Sequence, residues 1–413
     1  MKLLITFFLF VSISVQAQDT TKVLFIGNSI TYYNDMPQTF EAIANSKFDT
    51  TQVTVYAPGG TGFIDHVSDQ NVYTHFRTGN WDYVVLQPGS NESPGYTEPI
   101  ASTLGRARQL KDSILKYSPC AKIVFYEITY GVWGNDSEQL VEYNETMDLI
   151  KANLTQLADS TQQCFAPAGE AIKTAWNDNQ NTMFWGGTGN IHPNVKGSYI
   201  IACSFYASIF EKPSFGTSVL GGLTVQEANQ YQTLADTTVL NYKPEWRIGT
   251  FDLVSDFNFT TNEVNIVNFF DNSQYADSIF WDFGDGASSK LINPIHTYNS
   301  INSYDVTHTA YKNGCAKDSV KTVLIEMLNA NVSKEKFDVT IFPNPSTNFF
   351  TIKLPYSINQ YYITVFDELG KTVLFEKSTT QSFKIDLLNN PKGLYFVKIE
   401  TEELSVFKKI VRN

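Results

Sequence analysis

A small polar segment interrupts an apolar run near the start of the chain. Residues 23–26 read VLFI, and Gly27, Asn28 and Ser29 follow them directly, ahead of an amphipathic stretch. A serine hydroxyl at the end of a buried strand can act as a nucleophile when a nearby histidine removes its proton. The same position suits a helix N-cap, because Ser, Thr and Asn are the usual capping residues. The segment alone leaves both interpretations open.

Three further segments have comparable positions. Gly59 and Gly60 follow a second apolar run, and Asn91 closes the QPGSN segment that follows a third. His192 lies in the segment NIHP, ahead of an apolar helical stretch. A backbone N–H can approach a substrate closely at a glycine, because no Cβ stands in the way. An asparagine amide can donate to an oxyanion.

Short apolar runs alternate with longer amphipathic segments in the first part of the chain. The runs are VLFI (23–26), VTVY (53–56), YVVLQ (83–87), KIVFYEI (122–128) and CFAPA (164–168). Helical patterns cover residues 98–117, 137–159 and 195–210. This alternation predicts an α/β fold with helices on both faces of a parallel sheet. Ligands bind beyond the carboxyl ends of the strands in such sheets, where Ser29, Gly60 and Asn91 fall.

The four segments, in this order, resemble the sequence blocks of the SGNH/GDSL hydrolase superfamily. The resemblance implies a three-layer, flavodoxin-like domain with serine esterase activity. It implies that Ser29 is the nucleophile and His192 the base. It assigns the oxyanion hole to the backbone N–H of Ser29, the backbone N–H of Gly60 and the side-chain amide of Asn91. Gly59 replaces Gly60 if the loop register is shifted by one residue.

One position departs from the pattern of that superfamily, which usually carries an aspartate three residues before the histidine. Gly189 occupies the position here. The imidazole could be oriented by a backbone carbonyl in a Ser–His dyad, or by an acid from elsewhere, with Glu170 and Asp178 nearest upstream. Reduced or lost activity is the third possibility. His66 and His75 are expected at the surface or behind the site.

The second half of the chain has the short alternating runs and turn clusters of β structure. The segment WDFGDG at residues 281–286 resembles a PKD domain, an immunoglobulin-like sandwich. Its aspartates fit turn residues better than calcium ligands. The segments IFPNP (341–345) and GLYFV (393–397) are similar to the C-terminal sorting domain of type IX secretion substrates in the Bacteroidetes. That resemblance implies a second β-sandwich and recognition by the secretion machinery.

The chain start predicts export. Residues 1–17 have the layout of a secretory signal peptide, with one lysine, an apolar stretch and a small-residue cleavage site. We therefore predict a hydrolase domain at 19–247, a PKD domain at 250–328 and a sorting domain at 335–413. The mature protein is expected to be secreted or held at the cell surface, with no transmembrane segment.

Charge and cysteine content narrow the function further. The net charge is −12, and no basic stripe is visible, which argues against nucleic acid as a partner. Of the four cysteines, Cys120 and Cys164 each precede an apolar run and could form a bridge, whereas Cys203 fits the core. No metal-binding motif is present, so we expect neither a metal site nor a cofactor.

These features together predict a secreted serine esterase. The expected substrate is a short-chain ester, O-acetyl on a polysaccharide in particular. A lysophospholipase or thioesterase of the same superfamily remains an alternative. So does a catalytically weak carbohydrate-binding or adhesion protein at the cell surface.

Overall fold

The chain divides into two compact units. The computed structural model describes residues 20–134, 137–261, 265–326, 339–354, 360–401 and 405–413. The first unit runs to Asp256 and includes residues 273–279 and 309–319, and the second contains the remaining residues up to Asn413. The expected signal peptide lies outside the described residues. The domain boundaries 19–247, 250–328 and 335–413 stay predictions.

A five-stranded parallel sheet forms the centre of the first unit. Its strands are β1 (Thr21–Ile26), β2 (Thr51–Tyr56), β3 (Tyr83–Leu86), β4 (Lys122–Tyr126) and β5 (Cys164–Ala166). Their order is β2-β1-β3-β4-β5, the order of flavodoxin-like sheets. The apolar residues of β1, β3 and β4 are fully or almost fully buried, as the VLFI, YVVL and KIVFY runs predict. The predicted α/β fold is confirmed.

Helices connect these strands and follow the last one. They are α1 (Ser29–Tyr32), α2 (Met36–Ser46), α3 (Phe63–His66), α4 (Gln70–Thr78), α5 (Ile100–Tyr117), α6 (Ser137–Thr161), α7 (Ala168–Asp178), α8 (Val195–Phe210) and α9 (Val225–Leu240). Nearly every residue of α8 is buried, which fits its apolar sequence. In the part of the chain that the structure describes, no helix combines the length and apolar character that a membrane crossing needs.

The rest of the described chain is antiparallel β structure. The first group of strands is β6 (Phe257–Thr261), β7 (Ile266–Asp271), β8 (Ser278–Asp282), β9 (Ser288–Ser289), β10 (Ile295–Thr297), β11 (Asn302–Lys312) and β12 (Cys315–Ile325). They form the sheets β10-β7-β6 and β12-β11-β8-β9. In the WDFGDG turn, Asp282 Oδ1 accepts from Gly284 N and Asp285 Oδ1 from Ala287 N. These aspartates therefore bond their own turn.

The last strands form a second pair of sheets. They are β13 (Thr340–Phe342), β14 (Phe349–Lys353), β15 (Tyr361–Asp367), β16 (Thr372–Ser378), β17 (Ser382–Asp386), β18 (Gly393–Glu400) and β19 (Ser405–Arg412). The sheets β13-β14-β17 and β16-β15-β18-β19 contribute side chains to one apolar cluster. The prediction that two all-β sandwiches follow the α/β domain is confirmed.

The disulfide differs from the expected one. Cys120 is bonded to Cys315, 195 residues further on and within the first unit, whereas Cys164 and Cys203 are free. The Cys120–Cys164 bridge that the sequence allows is not formed, and Cys164 instead pairs in the sheet with Val124, four residues beyond Cys120. Cys203 is buried in α8, as expected.

Candidate active site

The loop after β1 leaves the Ser29 hydroxyl free of a capping role. Asn28 Oδ1 accepts from Ile30 N at 3.0 Å, so Asn28 is the N-cap of α1 and Ser29 is its first residue. The Asn28 N–H is bonded to Gln87 Oε1 at the end of β3. A Cβ on Gly27 would lie 2.2 Å from Thr31 Oγ1, so the turn requires glycine there. The N-cap interpretation of this segment therefore belongs to Asn28.

The structure brings Ser29 and His192 together from opposite ends of the α/β domain. Ser29 Oγ lies 2.8 Å from His192 Nε2, although 163 residues separate them. His192 lies on the loop before α8, whose N-cap is Asn194. A hydroxyl and an imidazole nitrogen at this distance form the pair that serine nucleophiles need.

Asn190 holds the other side of the imidazole. Its Oδ1 lies 2.9 Å from the backbone N of His192 and 2.9 Å from Nδ1 of the same residue. A backbone N–H can only donate, so the Asn190 atom that faces it must be the amide oxygen. That oxygen also faces Nδ1, so Nδ1 carries the proton and the lone pair of Nε2 points at Ser29. Burial lowers the pKa of His192, which favours the neutral base.

The sequence suggested a backbone carbonyl or an acid as the partner of His192 Nδ1, and neither is the group that bonds it. The partner of Nδ1 is a side-chain amide, not a backbone carbonyl or an acid. The Glu170 backbone N–H is bonded to Glu127 Oε2, and Glu170 and Asp178 both lie on α7. The sequence reasoning missed Asn190 because it searched for an acid, although an asparagine two residues before the histidine was a usable signal.

The glycine loop after β2 is bonded to the nucleophile loop. Asn28 Nδ2 donates to Thr61 O at 2.7 Å, and Thr61 Oγ1 donates to Gly27 O at 3.2 Å. Gly60 has a φ of +76°, which side-chain-bearing residues rarely adopt, and a Cβ there would meet open space. The loop therefore presents an uncovered backbone beside the serine.

Asn91 lies in the turn after β3 and is held by a tyrosine. Tyr130 Oη donates to Asn91 Oδ1 at 3.2 Å, which leaves the Asn91 NH₂ group to face elsewhere. Burial raises the pKa of Tyr130, so its phenol stays protonated and donates. Gly60 and Asn91 line one cavity of about 190 Å³, and Ser29 and His192 are not among its lining residues.

A buried ion pair joins the loops that follow β2 and β3, which carry Gly60 and Asn91. Glu92 Oε2 accepts from Phe63 N at 2.7 Å and from Gly89 N at 3.0 Å, so one carboxylate bridges the loops that follow β2 and β3. Arg106 donates to Glu92 Oε1 at 3.2 Å and to Glu98 Oε2 at 2.7 Å. The Glu92 side chain is only 5% exposed. The sequence reasoning did not identify Glu92 or Arg106.

The remaining histidines take no part in this arrangement. His66 is fully buried on α3, so it is not a surface residue, and burial lowers its pKa. His75 is half-buried on α4, where its Nδ1 bonds to Asn71 O. Among the described residues, no group of three His, Cys, Asp or Glu side chains could hold a metal ion. The chemistry that the site offers is acyl transfer through a serine.

The tail of the chain matches a known family. Residues 340–413 match the model of the secretion system C-terminal sorting domain. The predicted sorting domain of type IX secretion substrates is confirmed, and such a domain implies export.

Several solved structures are similar to the α/β domain. A DUF4886 family protein from Bacteroides uniformis is 17% identical, with a TM-score of 0.47, over 55% of this chain and 96% of that chain. A putative SGNH hydrolase from Slackia heliotrinireducens is 18% identical, with a TM-score of 0.38, over 46% of this chain and 100% of that chain. A catalytic mutant of an acetylxylan esterase from Geobacillus stearothermophilus is 16% identical, with a TM-score of 0.36, over 46% and 94%.

Two further matches are to a PKD domain and to an ulvan lyase. The PKD1 domain of Epp from Vibrio anguillarum is 28% identical, with a TM-score of 0.17, over 18% of this chain and 93% of that chain. An endo-acting ulvan lyase from Formosa agariphila is 28% identical over 131 residues, which is 31% of this chain. That match spans 24% of the lyase, about a quarter of its length.

Proposed function

We propose that this chain is a secreted serine esterase that hydrolyses short-chain esters, O-acetyl groups on carbohydrate in particular. One observation carries the proposal: Ser29 Oγ lies 2.8 Å from Nε2 of an imidazole whose Nδ1 proton is held by Asn190. This is the geometry and the tautomer that a general base requires. The sorting domain supports action outside the cell.

The proposed reaction passes through an acyl-enzyme. His192 Nε2 takes the Ser29 proton as Oγ attacks the ester carbonyl carbon, and the carbonyl oxygen becomes an oxyanion. The backbone N–H groups of Ser29 and Gly60 and the Asn91 amide stabilise that charge. The imidazolium then gives its proton to the departing alcohol. In the second half His192 deprotonates a water, which attacks the acyl carbon. The bond from that carbon to Ser29 Oγ then breaks, the imidazolium returns its proton to Oγ, and the acid is released.

The choice of a short acyl group rests on the resemblance of the sequence to the SGNH/GDSL superfamily and on the export that the sorting domain implies. Trp133, 55% exposed and next to Gly189, offers a ring face on which a sugar could stack.

Hydrolysis of p-nitrophenyl acetate by the full chain tests the proposal. We expect Ser29→Ala and His192→Ala to lower kcat by about 10⁴-fold or more. Ser113→Ala and His75→Ala are matched controls, since both side chains bond within their own helices, and both should retain activity. The butyrate and octanoate esters should be progressively poorer substrates.

Covalent labelling separates the esterase from a binding protein. A fluorophosphonate probe should label wild-type Ser29 and leave Ser29→Ala unlabelled. An unlabelled wild type without hydrolysis, or activity that survives Ser29→Ala, would refute the proposal and favour the carbohydrate-binding alternative.

A further inference from the structure

Among the described residues, both hydrogen-bond partners of the His192 imidazole are neutral side chains. In a triad with an acid, the carboxylate both orients the imidazole and stabilises the charge that it gains during the reaction. Asn190 orients the ring but is neutral. The His192 imidazole is hydrogen-bonded to Ser29 and Asn190 and stacks on Tyr33, and burial lowers its pKa.

Tyr33 lies flat against the imidazole. The two ring centroids are 4.2 Å apart, and the ring planes are inclined by 22°. The face of an aromatic ring is the negative part of its quadrupole, and it attracts a cation within about 6 Å. A proton gained by His192 would therefore place a positive charge directly over that face.

The turn that carries Tyr33 is fixed to the His192 loop. Asn34 Nδ2 donates to Pro193 O at 2.8 Å and to Ser198 Oγ at 2.9 Å. Ser198 Oγ in turn donates to Tyr33 O at 3.2 Å. Asn34 and Asp35 both have positive φ, at 53° and 51°, in the left-handed region that Asn and Asp adopt more readily than other side-chain-bearing residues. The stacking is thus built into the backbone of both loops.

We propose that Tyr33 is a positioning residue that stabilises the His192 imidazolium through its ring face, in place of the missing carboxylate. The inference rests on the proposed function, since it requires His192 to accept the Ser29 proton. Asn190 sets the tautomer, and Tyr33 supplies the electrostatic stabilisation. The phenol hydroxyl has no part in this role.

Kinetics of ring variants of the full chain test the role. Tyr33→Leu should lower kcat for p-nitrophenyl acetate by about 3- to 30-fold with KM little changed. Tyr33→Phe keeps the ring and should recover most of that loss. Tyr117→Leu is the matched control, because Tyr117 is as exposed as Tyr33, at 38%, and lies at the end of α5. A Tyr33→Phe variant as impaired as Tyr33→Leu would overturn the proposal.

Histidine titration gives a readout that does not depend on activity. In the Ser29→Ala background, the NMR titration of His192 should move to lower pH by about half a unit to one unit when Tyr33→Leu is added, because the imidazolium loses its partner. An unchanged or higher titration point would refute the role. Failure of the proposed function would instead show as hydrolysis that survives Ser29→Ala.

An acid outside the described residues is an alternative source of the charge stabilisation. Asp136 is such an acid, so the kinetic and titration experiments include Asp136→Asn. We expect this variant to keep the wild-type pH profile. A large loss of kcat, with the titration of His192 displaced to lower pH, would assign the charge stabilisation to a carboxylate and overturn the proposal.

Discussion

The two sides of the candidate active site are held by different kinds of groups. On the base side, neutral hydrogen bonds and a ring contact connect Ser29, His192, Asn190 and Tyr33. On the oxyanion side, a nearly buried carboxylate bridges two loops and pairs with Arg106. Neutral contacts can be lost one by one, whereas a buried charge that loses its partner is costly. We therefore expect graded losses of kcat when supporting contacts on the base side are removed, and a steep loss when Glu92 is removed on the proposed oxyanion side.

Among the residues that support the Ser29–His192 pair and the loops beside it, the largest effect is expected when the carboxylate bridge is removed. Glu92→Ala should lower kcat by about 10²- to 10³-fold, because the Gly60 and Asn91 loops lose their common acceptor, and should cost about 3 kcal/mol of stability. Glu98→Ala removes the other, more exposed partner of Arg106 and should lower kcat by less than tenfold. Steady-state kinetics and thermal melting measure both. Equal effects of the two variants would contradict the comparison.

The next largest effect concerns the tautomer of His192. Asn190→Leu has a similar volume but no acceptor, and kcat should fall by about 10²-fold, since Nδ1 no longer holds its proton in place. Asn190→Asp keeps the acceptor and adds a charge that raises the pKa of His192. The acid limb of the kcat/KM profile should then move to higher pH. A full pH profile of both variants decides the point, and a downward shift in Asn190→Asp would exclude the assigned orientation.

A smaller loss is expected from the tyrosine that holds Asn91. Tyr130→Phe removes one neutral hydrogen bond and should lower kcat by about 3- to 10-fold, because the Asn91 amide can then rotate. Tyr96→Phe is the matched control, since the Tyr96 hydroxyl bonds Thr146 and its ring packs against Tyr130. If kcat falls as far in Tyr96→Phe as in Tyr130→Phe, the hydrogen bond from Tyr130 to Asn91 does not contribute to the reaction.

The smallest effect is a displacement of the acid limb of the wild-type pH profile, relative to the limb that an exposed histidine would give. Burial lowers the pKa of His192, and the neutral form is the base, so activity should persist below the pH at which an exposed histidine protonates. The acid limb of kcat/KM for p-nitrophenyl acetate should have its midpoint below pH 6.5. A midpoint above that value would indicate a charged partner for the imidazole.

The sequence predicts the elements well and the contacts between them poorly. The buried runs of β1, β3 and β4 and the helical pattern of α8 reveal themselves by periodicity, and the strand ends place Ser29, Gly60 and Asn91 at one edge. Asn190 was not predicted, because the superfamily pattern places an acid before the histidine, whereas the group that bonds His192 Nδ1 here is a side-chain amide. Glu92 bonds Phe63 and Tyr33 stacks on His192 across long stretches of the chain, and no local sequence pattern encodes such contacts. The partner of Cys120 was mispredicted for the same reason.

The Cys120–Cys315 bond has a consequence for how the protein can be produced. A fragment that ends at the predicted boundary near residue 247 would lack Cys315 and the two β segments that complete the first unit. Its Cys120 would carry an unpaired thiol, free to form dimers between molecules in an oxidising medium. During synthesis the bond can close only after about three quarters of the chain has been made and has left a reducing compartment. Closure of this bond in the first unit therefore requires a cysteine that lies 123 residues beyond His192.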